Sequence, residues 1–236
     1  VVRRITAALT GAVFLGAAAL ALDPAYDAAA LFPLAAGNTW TYEGKMTVAK
    51  IGAYALVDLP LNVTMTVADE KRWGEVRLFT LEGHPDDAAW ALDEATAEEG
   101  ANIETSRYGF LCVANKVFRV YGDRMEDATI ALSDAGYLEP TFLAEEGPVL
   151  EFPLFVGARF GATAQLPRAD KAYFWYVADA APYQGGRTEY HLTYYTNPDT
   201  TDVWFVPGVG ITHYRYNHRG TPLMVDLKLL GATYKE

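Results

Sequence analysis

From Leu61 to Ala68 apolar and polar residues alternate: Leu61, Val63, Met65 and Val67 interleave with Asn62, Thr64, Thr66 and Ala68. An extended chain sends successive side chains to opposite faces, so the first set faces a core and the second faces water. Comparable runs at 39–48, 75–81, 107–113, 117–121, 171–178, 188–196, 202–206, 211–216 and 223–230 predict further strands. The breaks between them carry turn residues, among them Gly185-Gly186 and Asn197-Pro198-Asp199. Strand follows strand without the crossover helices of a βαβ fold, which predicts an all-β, mainly antiparallel chain. The architecture expected is a curved sheet, a half-open barrel or two β layers, with at most one short helical insertion. That insertion is placed at 86–99, where Ala, Glu, Leu and Trp cluster; it reads either as a helix capped by Asp86 or Asp87, or as a long acidic loop. Ala144 to Gly147 reads as an exposed turn between two halves of the chain.

Those halves carry a faint internal echo. Phe32-Pro33-Leu34, Gly37 and Trp40 have counterparts in Phe152-Pro153-Leu154, Gly157 and Phe160 at the same spacing. Pro presets an extended entry, Gly permits a tight turn and the aromatic opens the next strand towards the core. Two β subdomains meeting near 144–150, two layers of one sheet, or a chance likeness of two turns all fit this spacing; a single β-rich domain over 22–236 is the default.

The N-terminus adds a different signal. Arg3 and Arg4 precede an uncharged Ala- and Leu-rich run, and Ala19-Leu20-Ala21 offers the small-x-small pattern of signal-peptide cleavage. Residues 1–21 are therefore expected to be a leader cut after Ala21, or else a retained anchor, in which case the membrane is a contact. The expected location is the periplasm, cell surface or exterior. Acidic residues outnumber basic ones by 30 to 19, and no Lys/Arg cluster occurs, which argues against nucleic acid as a partner. The single Cys112 lies in an apolar run and reads as an inert buried thiol, so the fold must rest on its core. Fifteen Tyr, 11 Phe and 5 Trp can supply one.

Phe32-Pro33-Leu34 with Gly37-Asn38-Thr39-Trp40-Thr41-Tyr42-Glu43, and the later Trp204-Phe205-Val206-Pro207-Gly208-Val209-Gly210, resemble a loose group of exported bacterial β-rich proteins and lipoproteins of unassigned function. The resemblance implies that the first motif opens the β domain and that the second is a turn between two late strands. It implies no reaction. The lipid-bearing Cys of some members is missing here, and a half-open barrel like those of periplasmic lipoprotein carriers is the fold analogue.

Catalytic constellations are sparse. His213 and His218, five apart on one strand, should face opposite sides and share no metal. His84, Asp86 and Asp87 read as a solvated turn rather than a cation grip, and His191 as an isolated surface histidine. Ser106 and Ser133 are the only serines, neither in a nucleophile elbow. Glu139, Glu145 and Glu151 are candidates for the paired carboxylates of a glycosidase, which must stand roughly 5 to 10 Å apart. Gly208-Val209-Gly210 precedes a strand and is a turn, not a phosphate cradle. No cofactor and no metal site is expected.

The aromatic run Tyr173-Phe174-Trp175-Tyr176, with Tyr190, Tyr194, Tyr195, Tyr214 and Tyr216 on later strands, is the one constellation to pursue. Four aromatics in a strand place two on each face. The reading preferred on residue density is core filling between β layers. The alternative is a ligand face of Tyr173, Trp175, Tyr190 and Tyr194 for a hydrophobic or carbohydrate ligand, or for an envelope protein. These observations predict a non-catalytic exported domain with a binding or structural role. A half-barrel carrier of a lipid or other hydrophobic ligand, and an extracellular hydrolase of polysaccharide or peptide, are the alternatives.

Overall fold

The computed structural model describes residues 26–49, 55–90, 108–136, 138, 140–220 and 223–235, so the leader and most of the segment 86–99 lie outside the described residues. The strands are β1 (Thr39–Ala49), β2 (Leu56–Trp73), β3 (Val76–Glu82), β4 (Tyr108–Val113), β5 (Lys116–Tyr121), β6 (Pro148–Glu151), β7 (Arg159–Phe160), β8 (Trp175–Tyr183), β9 (Arg187–Tyr195), β10 (Asp199–Val206), β11 (Gly210–His218) and β12 (Leu223–Thr233). All belong to one sheet in the order β6-β5-β4-β3-β2-β1-β12-β11-β10-β9-β8-β7, antiparallel throughout. Each half of the chain is thus a six-stranded meander. The two are hydrogen-bonded where β1 meets β12, and their free edges β6 and β7 approach without pairing. The result is a nearly closed barrel with one seam.

The echo between the halves is a structural repeat. Gly37 N–H donates to the Val67 carbonyl (2.7 Å) and Gly157 N–H to that of Val177 (2.8 Å). Asn38 N–H bonds Ala35 O (2.9 Å) as Ala158 N–H bonds Phe155 O (3.0 Å), and Val67 and Val177 return N–H bonds to Asn38 O and Ala158 O. Both glycines adopt φ near +90° (+88° and +91°), a conformation side chains resist. Each copy even shares a β-bulge, between Val67 and Asp69 in one and Val177 and Asp179 in the other. The two motif phenylalanines meet on one ring: Phe32 and Phe152 lie 5.3 and 5.9 Å from Phe205, centroid to centroid.

The segments 32–43 and 204–210 also join in space. Fully buried Trp40 donates Nε1–H to the Val209 carbonyl (2.7 Å), Tyr42 donates its hydroxyl to Ile211 O (3.1 Å), and Gly208 N–H reaches Leu31 O (2.7 Å). Buried Asn38 adds a bond to Pro33 O (2.6 Å) and accepts from Lys235 N–H (2.7 Å). The motifs are a clamp across one end of the barrel, where buried polar groups all find partners.

Helix is more extensive than expected: α1 (Ala28–Leu31), α2 (Asp87–Trp90), α3 (Gly122–Ala135) and α4 (Pro140–Glu146). Alternation on the first meander explains α3 and α4. Tyr108, Phe110 and Cys112 of β4 point into the barrel, while Leu111, with Leu78, Phe118 and Val120, forms an apolar patch on the outer face. Leu132 of α3 seals that patch, with Met125, Phe142 and Leu143 packed around it. The segment 144–147, expected as an exposed turn, is instead the end of α4 followed by buried Gly147. There φ is +65° and a Cβ would sit 2.0 Å from Ala162 N, so the seam closes only around glycine. Among the described residues, no helix is long and apolar enough to cross a membrane.

Candidate functional site

The barrel encloses a cavity of about 470 Å³. Strand parity supplies its wall. Val117, Arg119 and Tyr121 of β5 face inward while Phe118 and Val120 join the outer patch, and Thr201 and Val203 of β10 and Tyr214 and Tyr216 of β11 face inward opposite them. Apolar side chains dominate towards the clamp, namely Phe32, Phe110, Leu150, Val203 and Ile211. Glu145 and Glu146 of α4 stand on another wall, held by Arg124 at 3.5 and 2.9 Å.

Three of the four aromatic candidates line this cavity: Tyr173, Trp175 and Tyr194, the last two with ring centroids 5.2 Å apart. Tyr190 does not; it packs against the core outside the cavity. The expected pairwise alternation of the four aromatics also fails. β8 begins only at Trp175, and Tyr173 takes φ +66°, which breaks the extended run and turns Phe174 into the protein, fully buried. Tyr173 stays 36 % exposed, with Arg168 stacked 4.8 Å from its ring. Phe174 thus fills the core, while Trp175 is half-buried, packed on the core and also lining the cavity.

A charged cluster that sequence reading missed occupies one wall. Arg119 donates Nη1–H to Asp86 Oδ2 at 2.5 Å, Tyr214 donates its hydroxyl to Asp86 Oδ1, and Asp86 N–H donates to His84 Nδ1 at 3.1 Å. His84, Asp86 and Asp87 are all buried, which corrects the solvated-turn expectation. The charge that makes burial tolerable comes from β5, far along the chain, and no local pattern shows it. His84 is 4 % exposed and boxed edge-on by Tyr108, Phe110 and Tyr214; this burial holds its pKa down to about 3 against the opposing pull of Asp86, with Arg119 adding to the depression. For Asp86 burial acts upward, yet Arg119, His84 and the Tyr214 hydroxyl outweigh it, and the carboxyl stays below its usual range. Burial and the Asp86 charge push the Tyr214 hydroxyl well up, so it remains a donor.

Elsewhere in the cavity Asp199 accepts from His218 Nδ1 (2.5 Å), Tyr216 Oη (2.9 Å) and Thr196 Oγ1 (3.1 Å). Burial acts upward on this carboxyl too, but those bonds leave it lowered. His191 is not isolated. On the other face of the sheet it stacks 4.3 Å from Trp204, whose ring also stacks 4.1 Å from His213, and the imidazoles pair with Asp202 and Asp226, each at 2.8 Å. Buried Cys112 has its thiol pushed up by desolvation, away from reactivity. Of the glycosidase candidates, Glu151 pairs with Lys116 (3.3 Å), Glu145 lies on the cavity wall and Glu139 falls outside the described residues. Among the described residues no group of three or more His, Cys, Asp or Glu side chains could hold a metal ion.

The chain matches no protein-family model and no curated protein sequence. Two solved structures are similar to it: a candidate exported protein with YmcC-like fold from Bacteroides fragilis NCTC 9343, at 12 % identity and TM-score 0.35, and a candidate lipoprotein from Parabacteroides distasonis ATCC 8503, at 9 % identity and TM-score 0.36. Each similarity covers 86 % of this chain and 98 % of the other.

Proposed function

We propose that this protein is an exported, non-catalytic β domain that binds a hydrophobic or amphipathic ligand inside its nearly closed barrel, with residues 1–21 as its leader and 22–236 as the folded unit. The cavity carries this reading. Its volume of about 470 Å³ falls within the usual range for small-ligand sites, and most of its lining is apolar or aromatic with a few convergent polar groups. A core that served stability alone would close such a space, because unfilled volume in an apolar interior costs stability. Export rests on the Arg3-Arg4, apolar-run and Ala19-Leu20-Ala21 order.

Native mass spectrometry of the purified protein, followed by solvent extraction, tests the reading. A co-purifying small molecule, or saturable uptake of a lipophilic fluorescent probe by the extracted protein, is the expected result. Trp175→Ala should weaken probe binding about tenfold while leaving the urea unfolding midpoint nearly unchanged, since the ring is only half-buried. A protein that takes up no apolar probe, or a Trp175→Ala variant that loses stability and keeps affinity, overturns the proposal.

A further inference from the structure

The Asp86–Arg119 pair lines the cavity of the proposed carrier, and the inference below rests on that reading. Both side chains are mostly withdrawn from water, at 12 % and 24 % exposure. Withdrawing two charges from water is costly, and apolar replacement of such pairs is often neutral or stabilising. The clamp of Trp40, Tyr42 and Asn38 already ties the barrel together without this pair. A ligand gives the pair a use.

The geometry limits what that ligand can be. Asp86 takes bonds on both oxygens, from Arg119 and from Tyr214. Arg119 has five N–H donors, and Asp86 is its only hydrogen-bond partner among the described residues. The head group that meets Arg119 must therefore accept hydrogen bonds. It gains little from being anionic. Asp86 cancels the guanidinium charge, and elsewhere on the wall Glu145 and Glu146 share the single Arg124 and Asp199 is paired with His218, which leaves no surplus positive charge. A carboxylate would shed its hydration and find no net positive potential, whereas an ester or amide carbonyl loses far less on desolvation. Size narrows the choice further: about 470 Å³ holds roughly 16 groups as large as a water molecule, enough for one chain and a small head.

We infer that the cavity takes a single-chain amphiphile with an uncharged ester or amide head, whose carbonyl accepts from Arg119, and that Asp86 excludes free fatty acids by cancelling the Arg119 charge. The test displaces a neutral fluorescent probe from the extracted full-length protein at pH 8, using a monoacylglycerol and a fatty acid with the same 8-carbon chain. The ester should bind at least tenfold more tightly than the carboxylate. Asp86→Asn keeps an acceptor for Tyr214 but leaves Arg119 unbalanced, so the carboxylate should gain at least tenfold while the ester changes less than threefold. If the variant does not fold, the ratio in the parent protein still decides. Equal or tighter binding of the fatty acid by the parent overturns this inference and leaves the carrier reading standing. An Asp86→Asn protein with an unchanged ratio overturns the role given to Asp86. Failure of both the probe and the amphiphiles to bind removes the carrier reading itself.

Discussion

Acidification from pH 6 to pH 5 should cost the folded protein about 1.2 kcal/mol through His84 alone. The ring is 4 % exposed, edge-on to three aromatic rings, and its pKa is held at about 3. In the unfolded chain it titrates near 6.5. Below that value the unfolded state binds a proton that the folded state refuses, so stability is complete above about 6.5 and falls as the pH drops towards 3. Between pH 6 and 5 the unfolded imidazole goes from about three-quarters to nearly fully protonated, which integrates to the ~1.2 kcal/mol given above. Unfolded carboxylates stay mostly ionised across this interval, and they are common to any variant used for comparison. His84→Asn is that variant, because its amide oxygen can accept the Asp86 N–H that Nδ1 accepts at 3.1 Å. Urea unfolding of both proteins at pH 6.0, 5.5 and 5.0 should show the parent losing ~1.2 kcal/mol more than the variant, His191, His213 and His218 cancelling in the difference. Equal losses would refute the neutral, buried His84 on which the charge balance at Asp86 depends.

Two further outcomes test the frame around the cavity. Trp40→Phe should lower stability by ~2 kcal/mol in chemical denaturation, for the lost bond to Val209 and the unfilled ring volume; Val209 O keeps the Tyr234 hydroxyl at 2.8 Å, which limits the cost, and a change under about 0.5 kcal/mol would contradict the clamp. Gly157→Ala should cost about 1 to 3 kcal/mol from backbone strain alone, since nothing lies within 4 Å of the added Cβ; a neutral result would show that φ +91° is not needed there.

Alternation made most of the sheet legible. β2 shows why: Leu61, Val63, Met65 and Val67 are buried as their spacing requires, and Trp40 and Tyr42 follow the same rule on β1. β6 and β7 were not legible, because runs of four and two residues are too short for a period-two signal. Helix α3 was missed for a related reason. Its core face includes Ala128 and Leu132, Ile130 points outward, and the apolar surface that holds it belongs to β3, β4 and β5. Tertiary packing, not its own periodicity, makes it a helix. The cavity aromatics were found because aromatic density is a local property. Arg119 was not, although a lone Arg at an inward position between Val117 and Tyr121 was the available signal.

What repeats between the two meanders and what does not divides the protein's residues by role. The Phe-Pro-Leu turns, Gly37 and Gly157, Val67 and Val177 and the bulges after them recur with the same hydrogen bonds, and each bond closes an end of the barrel. Apart from Phe32, the cavity lining comes from positions outside that repeated set. Trp40 pairs with Met65 on β2 as Phe160 pairs with Trp175 on β8; Met65 is fully buried, whereas Trp175 is only half-buried and lines the cavity. The Asp86–Arg119 pair belongs to the first meander and Asp199 with His218 to the second, and Tyr214 and Tyr216 of one strand bond the two carboxylates, so each meander brings its own polar group to the cavity. A barrel assembled from two equivalent halves needs its repeated positions to fold, which leaves the unrepeated ones free to be shaped by a ligand. Substitution at Trp175 should for that reason act first on binding, substitution at Trp40, Gly37 or Gly157 first on stability, and substitution at Arg119 on both, because it strips buried Asp86 of its partner charge.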